Sequence, residues 1–242
     1  MDCIYSIDYS TFDSSQFICS GSSDRTVCVW DIDSNKQIKS FKGHSNSVVE
    51  FSPFNGGRYL CSGSGDKTIR LWDVETSESL CVFNGHEKAV WCVDISPLQS
   101  NNKNDDNNEV NNIGVIGGNG YTICSGSFDQ TIRICDIETT KQFNVFKGHS
   151  QWIKSVKYGS NELVNTILSG SDDRSVRLWD IRSSKQIQVF NGHIDAIRSV
   201  EYSPFVIKKS IGNSNVICSG LCDNTIRFCD IRSNKKELYI IK

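Results

Sequence analysis

Apolar and polar residues alternate along most of the chain with a period of two. In TIRLWD (68–73), for example, Ile69 and Leu71 fall on one side of the run. Arg70 and Trp72 fall on the other side. Runs of this kind are rich in β-branched and aromatic residues, and clusters of Gly, Asp, Asn and Ser separate them. The pattern predicts short antiparallel strands joined by tight turns, and since no stretch has helical periodicity we expect an all-β protein.

One segment of the sequence recurs five times. Its copies are CSGSSDRTVCVWDI (19–32), CSGSGDKTIRLWDV (61–74), CSGSFDQTIRICDI (124–137), LSGSDDRSVRLWDI (168–181) and CSGLCDNTIRFCDI (218–231). A Gly-His pair precedes four of the copies, and these pairs contain all 4 histidines of the chain. Repetition at about 42 residues indicates a repeat architecture within a single domain, 1–242. Each unit holds four strand-like runs, and the units span about 1–41, 42–83, 84–146, 147–190 and 191–242.

Two insertions lengthen the third and fifth units between their first and second strands. The larger, 100–120, is rich in Asn and poor in large apolar residues. Such a composition cannot bury a core, so we expect a disordered surface loop. The shorter insertion, 206–215, contains a local pair of lysines.

Charge, apolar runs and cysteine spacing restrict the possible partners and compartments. The chain carries 26 Lys and Arg against 28 Asp and Glu, so it lacks the basic excess typical of nucleic-acid binders. The longest apolar run has five residues (89–93), whereas a membrane span needs about 20. The 11 cysteines contain no C-x2-C pair, which favours buried thiols over a metal site. With no signal peptide readable at the start, these features predict a cytoplasmic or nuclear protein without membrane contact.

The repeated units resemble the WD40 family. The resemblance rests on four Gly-His pairs and three Trp-Asp pairs in register, with two Cys-Asp variants at the same place. It implies a β-propeller of five four-stranded antiparallel blades around a central channel. It also implies a non-enzymatic scaffold for protein–protein interaction, with no cofactor, no metal and no small-molecule substrate.

The family resemblance further implies a hydrogen-bonded network of His, Ser, Asp and Trp in each blade. In the second blade the serine is either of two on one strand face, Ser62 or Ser64. Cys135 and Cys229 replace the tryptophan in the third and fifth blades, which we therefore expect to be less rigid. Ser, His and Asp together also suggest a hydrolase, but their recurrence in successive units argues against a single active site. The network residues are His44, Asp66, Trp72, His86, Asp129, His149, Asp173, Trp179, His193 and Asp223.

Family members commonly bind peptides at the narrow face, near the mouth of the channel. Carried over by position, the contact residues that we expect are Tyr5, Trp91, Phe128, Trp152, Lys154, Asp172 and Arg198. Aromatic residues and Arg dominate interface energetics, so this composition suits a binding site. For Trp91 and Trp152, packing between blades is an equally good interpretation. The alternative function is RNA binding, which would use Lys154, Arg198 and the pair at 208–209.

The number of repeats leaves the closure of the propeller open. Rings of the WD40 family usually have seven blades, and five repeats are visible in this chain. Five blades could form a tight ring, an open arc or a part of a longer propeller. We expect a partial propeller, in which two sheet faces would be exposed.

Overall fold

The described residues form twenty strands in five antiparallel sheets of four strands each. The computed structural model describes residues 2–12, 15–46, 48–54, 59–96, 121–159, 163–203, 216–223, 225–231 and 239–241. Both predicted insertions, 100–120 and 206–215, lie outside these ranges. No α-helix occurs in the described ranges, and accordingly no helix there could cross a membrane.

Each sheet is a meander built from one sequence unit. The first contains β1 (Ile4–Phe12), β2 (Ser15–Ser22), β3 (Thr26–Asp31) and β4 (Lys36–Lys42). The second contains β5 (Val48–Phe54), β6 (Tyr59–Ser64), β7 (Ile69–Asp73) and β8 (Ser79–Phe83). The third contains β9 (Val90–Ile95), β10 (Thr122–Ser127), β11 (Thr131–Asp136) and β12 (Gln142–Lys147). The fourth contains β13 (Ile153–Tyr158), β14 (Thr166–Ser171), β15 (Val176–Asp180) and β16 (Lys185–Phe190), and the fifth contains β17 (Ile197–Tyr202), β18 (Val216–Leu221), β19 (Ile226–Asp230) and β20 (Tyr239–Ile241).

The sheets are the blades of a five-bladed propeller. Their first strands are its inner strands and pack in succession, β1 on β5, β5 on β9, β9 on β13 and β13 on β17. The prediction of an all-β propeller with five four-stranded blades is therefore confirmed.

A tight turn with an aspartate joins the second and third strands of each blade. In the second blade, Asp66 Oδ1 accepts hydrogen bonds from the amide and the hydroxyl of Thr68, at 3.0 and 2.7 Å. Lys67 between them has a φ of 73°, in the left-handed region. A short side chain that accepts from the backbone two residues ahead stabilises such a turn, which explains the recurring Asp-x-Thr/Ser pattern.

The core lies between neighbouring blades rather than within one blade. At the first junction, Cys19, Val27, Val29 and Phe41 of the first blade pack with Leu60 and Trp72 of the second. Equivalent residues form the other three junctions. All eleven cysteines are free thiols, and the one that begins each repeat is buried in the first three blades, as the alternation predicts. Burial raises the pKa of Cys19 to about 12, so that it packs as a neutral thiol.

Candidate functional site

The residues expected at the narrow face are brought together by a backbone contact that repeats from blade to blade. The residue before each turn aspartate donates its N–H to a carbonyl at the start of the inner strand. Phe128 donates to Ala89 at 3.0 Å, and Asp172 donates to Trp152 at 2.9 Å. Each turn side chain consequently lies beside the beginning of an inner strand, at one end of the channel.

Four aromatic side chains from three blades form a continuous row at this end. We call Tyr5, Trp91, Phe128 and Trp152 the aromatic row. Trp91 and Phe128 stack with ring centroids 5.0 Å apart, and Phe128 and Trp152 stack at 4.1 Å. Tyr5 meets Trp91 edge-on at 6.3 Å. Trp152 is 42% exposed, so the row presents an aromatic surface to solvent as well as packing between blades.

Lys154 lies against the aromatic row. Its Nζ is 3.8 Å from the ring centroid of Trp91, 4.4 Å from that of Phe128 and 5.1 Å from that of Trp152. These distances are within the range of cation–π attraction. The ammonium also lies 3.9 Å from Asp172 Oδ2, which supplies a negative charge. The row is thus held together by an internal cation.

The burial of Lys154 differs from the sequence-based expectation. We expected Lys154 to contact a partner at the surface, but Lys154 is only 6% exposed, and its charge lies beside Asp172 and the aromatic rings. Burial lowers its pKa, and Asp172 partly opposes this effect. The aromatic rings that surround Lys154 come partly from the preceding blade, so its own repeat gave no sign of them.

Arg198 and Asp172 give the site one exposed cation and one partly exposed carboxylate. Arg198 is exposed, and its Nε donates to Cys222 Sγ at 2.8 Å. Cys222 occupies the turn position in the fifth blade that Asp172 occupies in the fourth. Asp172 Oδ1 has no hydrogen-bond partner among the described residues. Opposite charges therefore lie beside an exposed aromatic surface.

Hydrogen-bonded networks of His, Asp, Ser and Trp stabilise the blades that carry this site. In the second blade, His44 Nδ1 lies 2.9 Å from Asp66 Oδ2, and His44 Nε2 lies 2.8 Å from Ser62 Oγ. The indole N–H of Trp72 donates to the same Ser62 Oγ at 2.8 Å. The first of the two candidate serines is therefore the network residue, whereas Ser64 donates to the carbonyl of Asn46. The fourth blade repeats the arrangement with His149, Asp173, Ser169 and Trp179.

The blades that lack the tryptophan keep part of this network. In the third, His86 contacts both Asp129 and Ser125 at 2.8 Å. There Ser125 Oγ donates to the carbonyl of Arg133 at 3.4 Å, and no indole N–H reaches it. In the fifth, His193 Nε2 lies 3.2 Å from Ser219 Oγ. Asp223 caps its turn through Thr225 and lies 3.8 Å from Arg227.

The family sequence profile described as "WD domain, G-beta repeat" matches the chain five times. The matched residues are 2–31, 35–73, 77–136, 140–180 and 184–230. The chain belongs to the WD40 family. No curated protein matches it significantly. WD40 propellers generally serve as scaffolds for protein interaction.

The protonation of the WD40 network follows from burial. Burial lowers the pKa of His44, and its contacts with Asp66 oppose this only in part. The pKa values of His86 and His149 are lowered for the same reason. Burial would raise the pKa of Asp66, but hydrogen bonds from Thr68, from the amide of Ser45 and from His44 outweigh it and lower that pKa to about 2. The network therefore consists of neutral imidazoles and ionised carboxylates near neutral pH.

The Ser-His-Asp contacts of this WD40 chain have the distances of a hydrolytic triad but not its accessibility. Ser62, Ser125 and Ser169 each lie 2.8 Å from a histidine, and each is 0% exposed. A substrate carbonyl cannot reach a hydroxyl buried between blades. In two of the three blades an indole N–H also donates a hydrogen bond to the serine oxygen. The arrangement fits a structural role.

The inner strands of the propeller carry a second group of charged residues. Lys157 Nζ lies 3.9 Å from Glu201 Oε2, in the neighbouring blade. Asp94 accepts the N–H of Tyr158 at 2.8 Å. Burial raises the pKa of Asp94 to about 6, although the positive charge of Lys157 opposes the shift. Asp94 therefore binds its proton at a higher pH than an ordinary aspartate does.

Proposed function

We propose that this chain is a non-enzymatic scaffold that binds a protein or peptide through the aromatic row. The observation that carries the proposal is the stacked aromatic surface with its exposed Trp152, which lies against Lys154, whose charge interacts with Asp172 and Arg198. Aromatic and Arg residues dominate the energetics of protein interfaces. The eleven free thiols fit a reducing compartment, so we place the scaffold in the cytoplasm or the nucleus.

The site chemistry favours a partner with an apolar anchor and an acidic group. An aromatic or aliphatic side chain would pack on the exposed ring of Trp152, and a carboxylate would pair with Arg198. Lys154 holds the rings in place before the partner arrives, and such preorganisation lowers the ordering cost of binding.

The RNA-binding alternative has less support. It needs available cations, and Lys154 is buried against the aromatic rings. The lysines at 208–209 lie outside the described residues. A salt titration separates the two functions, because nucleic-acid affinity falls steeply with salt whereas an aromatic anchor is less sensitive.

Affinity purification from cells tests the proposal with matched variants. The site variant carries Trp152→Ala and Arg198→Ala. The control carries Arg182→Ala and Ile187→Ala, which also removes an exposed Arg and an exposed apolar side chain but at a distance from the narrow face. We expect the control to retain the partners of the wild type and the site variant to retain less than about a tenth, since truncating a hot-spot residue costs about 2 kcal/mol.

Two results would contradict the proposal. Equal recovery of every partner by both variants would show that the aromatic row does not bind them. Partners that are lost after nuclease treatment or at moderate salt would support the RNA alternative instead.

A further inference from the structure

The first blade exposes an apolar face that is buried in the blades that follow. Ile7, Tyr9, Ile18 and Trp30 share one side of β1, β2 and β3, because Ile18 is paired with both Tyr9 and Trp30. We call these four residues the leading face. They are between 39% and 75% exposed. The corresponding residues of the third and fourth blades are at most 8% exposed, and these are Val93, Ile95, Ile123, Cys135, Val156, Tyr158, Ile167 and Trp179.

The fifth blade exposes the opposite type of face. Cys218, Ile226, Phe228 and Ile241 form the trailing face, in which Cys218 pairs with Phe228 and Ile226 with Ile241. Ile226 is 45% and Ile241 is 55% exposed. The corresponding residues of the first and third blades are at most 1% exposed, and these are Cys19, Val27, Val29, Phe41, Cys124, Ile132, Ile134 and Phe146.

A glycine that recurs on the second strand gives independent evidence that the trailing face is open. A Cβ added to Gly126 would lie 2.5 Å from Ile153 Cγ2 of the next blade. One added to Gly170 would lie 2.6 Å from Ile197 Cγ2 of the next blade. At Gly220, in the fifth blade, an added Cβ meets nothing within 4 Å. The described residues therefore place no sixth layer against this blade.

The two open faces are chemically complementary. Every junction inside the chain joins a trailing-type face of one blade to a leading-type face of the next, as Phe41 and Val27 join Trp72 and Leu60. None of the four junctions formed by the described residues joins two faces of the same type. The leading face therefore fits a trailing face, and this chain itself carries both.

We propose that a second copy of this chain covers these faces. The leading face of one copy packs on the trailing face of another and reproduces the junction that already recurs within each copy. Because each copy contributes a different face, the contact is head-to-tail, and the association closes into a ring or continues as a chain of copies. Apolar area buried in this way supplies the driving force.

Light scattering on the purified full-length chain tests the association. We expect the wild type at tens of micromolar to have at least twice the single-copy mass of 27.1 kDa. Trp30→Asp disrupts the leading face and Ile226→Asp disrupts the trailing face, so each variant alone should have the single-copy mass. Ile187→Asp places the same charge on the outer strand of an internal blade and should associate like the wild type.

Mixing the two single variants decides whether the contact is head-to-tail. The Trp30→Asp chain keeps an intact trailing face, and the Ile226→Asp chain keeps an intact leading face. Their mixture should form a two-copy species that neither variant forms alone, and nothing larger. Tyr9→Asp and Ile241→Asp provide second variants of the two faces, and circular dichroism verifies that each variant is folded.

Three outcomes would overturn the proposal. The first is a wild type that remains single-copy up to about 100 µM, because the leading and trailing faces of separate copies would then not bind each other. The second is association of Ile226→Asp by itself, which would indicate pairing of like faces. The third is a mixture of folded variants that stays single-copy.

Discussion

A buried imidazole is the central residue of the networks in the second, third and fourth blades, and burial keeps it neutral. His44 bridges a carboxylate and a hydroxyl, and the hydroxyl of Ser62 in turn accepts the indole N–H of Trp72. Buried polar groups stabilise a fold only when they are paired, so the members of this set depend on one another. The network is accordingly sensitive both to pH and to the loss of one donor.

The free energy of unfolding should fall as the pH decreases below about 6.5. The pKa values of His44, His86 and His149 are lowered by burial, so the unfolded chain binds protons that the folded chain does not. The stability is complete above about pH 6.5 and declines below it by up to about 1.4 kcal/mol per pH unit for each histidine. Urea unfolding at several pH values between 7.5 and 4.5 measures this slope.

Asp94 provides an internal control for that slope. Its pKa is raised to about 6, so the folded chain binds this proton before the unfolded chain does, and the effect opposes that of the histidines between about pH 6 and 4. Asp94→Asn should therefore make the decline steeper. A stability that stays constant or rises from pH 7 to 5 would contradict the assignment of neutral histidines.

Removal of one indole N–H should cost more in the second blade than in the first. Trp72 is buried and donates to Ser62 at 2.8 Å, whereas Trp30 is exposed and donates to Ser20 at 3.1 Å. Trp72→Phe leaves a buried network incomplete, and we expect a loss of about 1–3 kcal/mol. Trp30→Phe should cost less than about 1 kcal/mol in dilute protein, where copies are apart. Equal losses in the free energy of unfolding for the two variants would show that burial does not determine how much the network contributes to stability.

The strands of each blade are stabilised by the neighbouring blades that pack on them. β10 and β11 of the third blade are buried on both sides, whereas β19 of the fifth is covered on one. The same sequence pattern therefore gives strands that are buried to different extents, according to whether their blade is internal or at an end of the row of blades.

Amide exchange should be faster in β18 and β19 than in β14 and β15. Cys229 replaces the tryptophan of the fourth blade, the contact between His193 and Ser219 is 3.2 Å, and the trailing face is exposed. Fewer buried contacts lower the free energy of local opening. Hydrogen exchange followed by mass spectrometry in dilute protein measures the difference, and equal protection of the two blades would contradict it.

The recurring glycine should tolerate alanine only where no blade follows. Gly126→Ala would push a methyl group into Ile153 and Cys92 of an occupied junction, so we expect a loss of about 1–3 kcal/mol. Gly220→Ala has open space and should change the stability by less than about 0.5 kcal/mol. Thermal and urea unfolding of both variants measure the pair. A large loss for Gly220→Ala in dilute single-copy protein would show that the fifth blade is covered.

Strands and blades could be predicted from the sequence because each repeat shows the period-two alternation of apolar and polar residues. The burial of Lys154 could not be predicted from the sequence, since the rings of Trp91 and Phe128 that surround it belong to the preceding blade. The sequence also could not show that Ser62 rather than Ser64 bonds to the histidine. Both serines lie on the same side of β6, and only the position of His44 in the structure distinguishes them. The repeat count led us to expect two exposed sheet faces, but the residue types of those faces gave no sign of exposure, since Ile18 and Ile226 match their buried counterparts in residue type.

At the scale of the whole molecule, the propeller presents two separate surfaces. One is the aromatic row at the mouth of the channel, which we propose as the partner site. The other comprises the leading and trailing faces, which we propose as a contact between copies. They lie on different parts of the blades, so variants of one surface leave the other intact.

Hydrogen exchange of the propeller with and without its purified partner tests whether the aromatic row is the binding site. We predict that the bound partner slows exchange in the turns and strand starts that carry Phe128, Trp152 and Asp172, at 126–130, 150–155 and 170–173. The Arg182→Ala, Ile187→Ala control should have the same protection as the wild type. Protection confined to the outer strands β4, β8, β12 and β16, with none at the narrow face, would contradict binding through the aromatic row.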